Sequence, residues 1–327
     1  MRFVTGGGLR IDYLITHQGE ARTGLLGGNA LYAAVGASIW AGKVNLWARV
    51  GRNYPQAWLD QLPGHGIGIE GLVRMEEDQD HRTFFAYTAD GRRDDTNPAA
   101  HFARIKQPLP EALGDYIHST PGQDEPDRYE PLALRPEDWP DQWCGEGAVH
   151  LSPLALRTHC EVPGMLRRRG VRCLTVDPGE RYMIPERESQ IRGLLPQVDA
   201  FLPSNMEVRS LFGEDVDLWE AAERLHQWGA PVVVVKNGAD GVLLLDGPGG
   251  RRLGVGAYHG YNDRRVVDVT GAGDSFCGGF MVGLAQSGDP LLAAQMGIVS
   301  ASFVVEGYGA LYALDHCQEK GERLAGR

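Results

Sequence analysis

Apolar residues along this chain fall into short continuous runs, separated by stretches with helical spacing. Residues 44–50 and the run Pro231-Val232-Val233-Val234-Val235 have strand length, and the second is β-branched throughout after its proline, as a strand buried on both faces requires. Further strands are expected at 148–151, 172–177 and 200–203. Helices are expected at 28–42, 56–62, near 162–169, near 186–195 and at 218–227. Strands alternating with helices predict a mostly parallel central sheet covered on both faces, a three-layer α/β/α arrangement.

Two stretches break that rhythm. Residues 9–23 and 72–90 alternate polar and apolar positions, with turn signals such as Ala89-Asp90-Gly91. They predict antiparallel strands on a small separate sheet. Residues 92–145 are rich in Pro, Asp, Glu and Arg and carry little periodicity, so a long irregular insertion is expected there.

Composition narrows the function classes. With 327 residues, 43% hydrophobic and 23% charged, the chain suits one large domain spanning 1–327. Asp and Glu number 43 against 32 Lys and Arg, a net charge of −11, and no basic stripe suggests a nucleic-acid partner. The densest basic cluster, Arg167-Arg168-Arg169, fits a helix end, where cations suit the dipole. The five cysteines (Cys144, Cys160, Cys173, Cys277, Cys317) are odd in number and contain no C-x-x-C, which argues against a disulfide framework and a thiolate zinc site. The start Met1-Arg2-Phe3-Val4-Thr5-Gly6 has no apolar signal segment, and no run reaches the ~20 apolar residues of a membrane span. A cytoplasmic protein is expected.

The strongest chemical signal is Val266-Val267-Asp268-Val269-Thr270-Gly271-Ala272-Gly273-Asp274-Ser275-Phe276, followed by the small, apolar Cys277-Gly278-Gly279-Phe280-Met281-Val282-Gly283-Leu284. The second part reads as a buried helix, so the Gly-Ala-Gly turn sits at its N-terminus. The first amides of a helix lack intrahelical partners and carry partial positive charge, and a phosphate can dock on them. Glycine lets that backbone come close. Asp274, at the same turn, can accept a proton from a substrate hydroxyl while the amides stabilise a transferring phosphoryl group.

Asp268-Val269-Thr270-Gly271-Ala272-Gly273-Asp274 resembles the D-T-x-G-A-G-D signature of the ribokinase-like (PfkB-type) carbohydrate kinases, with Val269 where that family usually has Thr. The resemblance implies the ribokinase-like fold with a small β-sheet lid built from about 9–23 and 72–90. It implies Asp274 as catalytic base, and Gly271, Ala272 and Gly273 as the anion hole. It places Asp268 and Thr270 where some members bind a monovalent cation such as K+.

Other segments share the likeness. Gly8-Leu9-Arg10-Ile11-Asp12 resembles the family's first strand, whose Asp holds sugar hydroxyls, although Asp12 can equally be a strand-end turn residue. Gly27-Gly28-Asn29-Ala30 resembles a substrate-contacting helix entry, so Gly28 and Asn29 are expected at the substrate; Asn29 also suits a helix N-cap. Pro203-Ser204-Asn205-Met206-Glu207 resembles the N-x-x-E motif, whose Glu organises Mg2+ through water. Ser204 falls in the Asn place, and Glu207 is otherwise an exposed helix-start residue. Lys236-Asn237-Gly238-Ala239-Asp240-Gly241 is a hairpin-like turn by pattern. By resemblance it borders the nucleotide at Lys236, Gly238 and Gly241, although Lys236 can also be a solvated strand end. Glu306-Gly307-Tyr308-Gly309-Ala310 resembles the nucleotide-proximal loop, at Gly309.

Competing signals are poor. Gly36 to Lys43 has one residue too many for a P-loop and Val44 in place of Ser or Thr, while Gly254-Val255-Gly256 and Gly260 do not form G-x-G-x-x-G. None of the ten histidines forms H-E-x-x-H. The resemblance therefore implies an ATP- and Mg2+-dependent kinase acting on a sugar hydroxyl, with a homodimer formed through the lid. A nucleoside kinase stays open, since the seven tryptophans and Phe84, Phe85 and Tyr87 could stack a base or be core. So does a non-catalytic nucleotide or sugar sensor.

Overall fold

The computed structural model describes residues 1–88, 93–118, 122–143, 145, 147–260 and 263–327; the Ala89-Asp90-Gly91 turn signal and Cys144 lie outside them. In chain order the strands are β1 (Arg2–Gly6), β2 (Arg10–Ile15), β3 (Ala21–Gly27), β4 (Val44–Val50), β5 (Ile67–Arg74), β6 (Arg82–Tyr87), β7 (Arg93–Asp94), β8 (Gly147–Leu151), β9 (Val171–Val176), β10 (Ala200–Phe201), β11 (Val232–Lys236), β12 (Val242–Asp246) and β13 (Arg251–Val255). The helices are α1 (Asn29–Ser38), α2 (Gln56–Asp60), α3 (Pro98–Arg104), α4 (Leu156–Arg168), α5 (Glu188–Leu194), α6 (Asn205–Phe212), α7 (Leu218–Gln227), α8 (Ala272–Ser287), α9 (Pro290–Val304), α10 (Tyr312–His316) and α11 (Lys320–Ala325).

A nine-stranded sheet runs in the order β13-β12-β11-β10-β9-β8-β1-β4-β5. From β11 to β5 every pairing is parallel. The β11–β12 and β12–β13 pairings are antiparallel, because short turns reverse the chain where a parallel return would need a crossover. One face packs against α4, α5 and α7 through Val149, Leu151, Leu174, Val176 and Val233. The other packs against α1, α8 and α9. Glycines let α1 and α8 touch along their backbones: a Cβ on Gly278 would lie 1.8 Å from the Ala33 carbonyl oxygen, and one on Gly36 would lie 2.0 Å from that of Ser275. Among the described residues no helix is long and apolar enough to cross a membrane.

The second sheet has four strands in the order β3-β2-β6-β7. It differs from the expected antiparallel sheet in two respects. First, β2 and β6 run parallel, with Asp12 opposite Thr83 and Leu14 opposite Phe85. Period-two alternation reports which face of a strand is buried and says nothing of its direction. Second, residues 72–74 finish β5 of the large sheet, where Ala48, Arg49 and Val50 pair with Leu72, Val73 and Arg74.

The described residues between 93 and 145 are also more regular than their pattern suggests. Asn97 caps α3 by accepting the Ala100 amide at 3.3 Å, and Pro98 starts the helix with its fixed φ. Phe102, Leu113 and Tyr116 then pack on Ile15, Phe84 and Ala86 of the small sheet. Farther along, Trp139 and Trp143 close over Trp47, with ring centroids 5.0 Å apart for Trp47–Trp139. These three tryptophans and Phe84 are core residues and take no part in stacking a base.

Candidate active site

Side chains with chemistry gather beyond the C-terminal ends of the parallel strands, the edge where open α/β sheets bind ligands. Asp177 follows β9, Ser204 follows β10, and Lys236 ends β11. The N-terminus of α8 meets the same edge. Gly271 is its N-cap, with φ +75°, and Asp274 sits in the first turn. Ala272 donates its amide to the Val269 carbonyl at 3.2 Å, so it is not the free anion-hole donor expected of it. The turn needs that bond to close. Among the described residues the amides of Gly271, Gly273 and Asp274 donate to no protein acceptor.

The Asp274 carboxyl has no hydrogen-bond partner among the described residues. Burial raises its pKa to about 6, and the negative charge of Asp177 adds to the rise, against Lys236 and Arg93. Lys236 was open to being a solvated strand end. Instead its side chain is 14% exposed and ion-paired with Asp177, itself 2% exposed. The ammonium also lies 3.7 Å from the Cys277 sulfur and 3.7 Å from where a Cβ on Gly273 would be. Burial works against the Lys236 cation, but Asp177, Cys277 and Glu207 outweigh it, so the ammonium stays protonated.

Glu207 is buried rather than exposed at its helix start. Ser204 and Glu207 form a capping box at the start of α6: the Glu207 amide donates to Ser204 Oγ at 3.2 Å, and the Ser204 amide donates to Glu207 Oε2 at 2.6 Å. Burial pushes the Glu207 carboxyl up to about 8, helped by Asp177 and opposed by Lys236. Asn205 donates to the Asn237 side chain at 2.7 Å and so ties α6 to the turn after β11. Among the described residues no cluster of three or more acidic, His or Cys side chains forms a protein-only metal cage. Glu207, whose Oε1 accepts from no protein donor among the described residues, fits a hydrated hard cation that keeps most of its own waters.

The candidate acceptor side lies between the two sheets. Asp12 of β2 is 2% exposed and hydrogen-bonded by the Gly28 amide. Burial raises its pKa to about 7, with Asp268 and Asp274 adding to the rise and Arg10 opposing it. Asn29 is the first residue of α1, and Gly28 is the N-cap. The Asn29 side chain accepts the Gly8 amide at 2.8 Å and donates to the Pro153 carbonyl at 2.7 Å, stapling the turns that follow β1 and β8.

Asp268 and Thr270 are bonded to each other: Asp268 Oδ1 accepts the Thr270 amide at 3.0 Å and its hydroxyl at 2.7 Å. The Thr270 hydroxyl also meets Tyr87 of the small sheet at 2.9 Å. The Val267 and Asp268 amides both donate to the Val305 carbonyl, which joins the motif to the connection after α9. Gly238 and Gly241 shape the turn between β11 and β12. Gly309 lies after α9, where Ala310 donates its amide to Leu26 at 3.4 Å, at the end of β3.

Sequence reasoning passed over Asp177. Its signal was a carboxylate directly after a β-branched strand, in Leu174-Thr175-Val176-Asp177-Pro178. Many strand ends look like that, and only the sheet order brings this one to Lys236.

Residues 177–317 match the pfkB family carbohydrate kinase model. Among curated proteins, a cytidine kinase of Thermococcus kodakarensis is 26% identical over 311 residues, covering 93% of this chain and 95% of its own. Two solved structures share the fold. Aminoimidazole riboside kinase from Salmonella enterica has a TM-score of 0.69 at 18% identity, covering 99% of this chain and 100% of that one. Ribokinase from Thermotoga maritima has a TM-score of 0.67 at 20% identity, covering 99% of both. The signature at the head of α8 and the two-sheet architecture thus agree with the comparisons: residues 177–317 match the pfkB family carbohydrate kinases, and the chain has the ribokinase-like fold.

Proposed function

We propose that this protein transfers the γ-phosphoryl group of ATP to a hydroxyl of a carbohydrate bound between the two sheets. The observation that carries the proposal is the meeting, at the first turn of α8, of an unpartnered carboxyl, free backbone amides and a lysine ammonium.

Asp12 receives the hydroxyls of the acceptor and orients one of them toward Asp274. Asp274 accepts the proton of that hydroxyl as its oxygen attacks the γ-phosphorus and the bond to the ADP oxygen breaks. A pKa of about 6 leaves Asp274 mostly ionised at neutral pH and still close enough to the operating pH to act as base. The amides of Gly271, Gly273 and Asp274 and the Lys236 ammonium face the charge on the transferring group. Glu207 would hold the water shell of Mg2+, which neutralises phosphate charge when bound. Tyr87 ties the small sheet to Thr270, so that sheet can cover the acceptor and keep water from competing for the phosphoryl group.

A nucleoside, phosphorylated on its sugar, is the second candidate acceptor. The end-to-end match to a cytidine kinase favours it. So does β6, whose alternation turns Phe85 to the same face as Tyr87, toward Thr270.

The test is substrate-dependent ADP release across a panel of free sugars and nucleosides, run beside Asp274→Asn. Release with sugars alone supports the first acceptor class, and release with nucleosides alone supports the second. If no small hydroxyl compound gives release although ATP binds, phosphoryl transfer is excluded and a sensor remains.

A further inference from the structure

An ammonium has three N–H donors and no acceptor. In Lys236 one points to Asp177 Oδ2 and one to the Cys277 sulfur at 3.7 Å. The third has no protein partner among the described residues. The same ammonium lies beside Gly273, whose amide is free. A long lysine side chain at a strand end ordinarily samples many rotamers, and ordering it costs entropy. Here a buried carboxylate from the neighbourhood of β9 takes up that cost before any ligand arrives. Cys277 adds to the grip: its thiol donates to the same Asp177 oxygen at 3.5 Å, so β9, β11 and α8 are joined at one point.

We propose that Asp177 is a positioning residue for the donor phosphates, holding the Lys236 ammonium at the mouth of the α8 N-terminus so that its remaining N–H meets the terminal phosphate. Asp177 does not touch the phosphate in this arrangement, since two anions would repel. It acts through Lys236. Its charge also faces Asp274 and Glu207, with Lys236 and Arg93 as the cations on the same side. A lysine without this carboxylate would be drawn toward Glu207 or out to solvent, and the free amides would face the phosphate alone.

The inference rests on ATP being the phosphoryl donor, and the experiment separates the two. MgATP dissociation constants are measured by titration calorimetry for the wild type, Asp177→Asn, Lys236→Met and the double variant, with AMP as the ligand lacking terminal phosphates. If the wild type does not bind MgATP, the donor assignment fails first. The expected result is that each single variant weakens MgATP by about tenfold or more, that the double variant binds no worse than Lys236→Met, and that AMP binds all four alike. Losses that multiply in the double variant would mean Asp177 acts independently of Lys236, and would overturn the proposal. So would an Asp177→Asn protein that binds MgATP like the wild type, or a loss shared equally by AMP. Removing one partner of a buried pair can unfold a protein, whereas removing both is often tolerated. If Asp177→Asn does not fold, the double variant against Lys236→Met decides: equal affinities support the proposal and a weaker double variant refutes it.

Discussion

Gly271 lies flat against the ring of Tyr32: a Cβ at this position would be 2.1 Å from the ring carbons. Two helices depend on that contact, because Tyr32 is buried in α1 and Gly271 starts α8. Gly271 also has φ +75°, where an L side chain costs about 1–2 kcal/mol. Gly271→Ala should therefore lower the stability measured by denaturant unfolding by at least that amount and displace the free amides, with loss of turnover. An Ala variant with wild-type stability and rate would show that the turn is not what holds those amides.

Asp274→Asn should lower kcat by about 10²–10⁴-fold while leaving ATP affinity nearly unchanged. In the wild type, kcat/KM should fall as pH drops through about 6, where the base takes up a proton. Stability should move the other way. The folded pKa is raised above 3.8, so the native state binds more protons than the unfolded chain between pH 3.8 and about 6, and the cost of the buried charge is fully present above that window. Asp274→Asn should consequently melt above the wild type at pH 8, with the gap closing as pH falls toward 3.8. An equal gap at both ends, followed by calorimetry, would detach the gain from this carboxyl.

At the head of α6 the cap and the metal role can be separated. Ser204→Ala should cost about 0.5–2 kcal/mol of stability, and Ser204→Asn very little, because Asn is also a good N-cap. Glu207→Gln keeps a side chain that can still accept the Ser204 amide, so it should melt near the wild type but need more Mg2+ for half-maximal rate. A Glu207→Gln enzyme with unchanged Mg2+ dependence would confine Glu207 to capping.

Tyr87→Phe removes the hydroxyl that meets Thr270. Thr270 keeps its bond to Asp268, so the stability loss should stay near the ~0.5–1.5 kcal/mol of one hydrogen bond. The acceptor KM should rise several-fold with the ATP KM unchanged. A rise confined to ATP would mean that this link serves the donor side instead.

Much of the fold was legible because buried parallel strands and amphipathic helices leave strong periodic marks. The valine run became β11, and the small, glycine-rich segment after Asp274 became α8. Misreadings arose where periodicity is silent. Alternation could not tell that β2 and β6 are parallel, and the polar insertion hid Phe102, Leu113 and Tyr116, which are too far apart to make a pattern yet meet under the small sheet. At the site, the motif around Asp274 stood out because Asp268 and Thr270 precede the glycine turn and a glycine-rich helix follows it, a string far more specific than the turn alone. Asn29 reads as a substrate contact or a cap; Gly28 takes the cap position, and the Asn29 side chain bridges two turns, a role no spacing in the chain could show.

By itself the amino-acid sequence determined the elements, the glycine turn and the acid beside it, since backbone freedom and hydrophobic spacing are local properties. Which acid meets which base was decided by tertiary structure. Asp177 and Lys236 end strands separated by β10, and Cys277 comes from a helix on the sheet's face. Charges interact through space rather than along the chain, so the raised carboxyl of Asp274 and the held ammonium of Lys236 exist only once the sheet has ordered its strands.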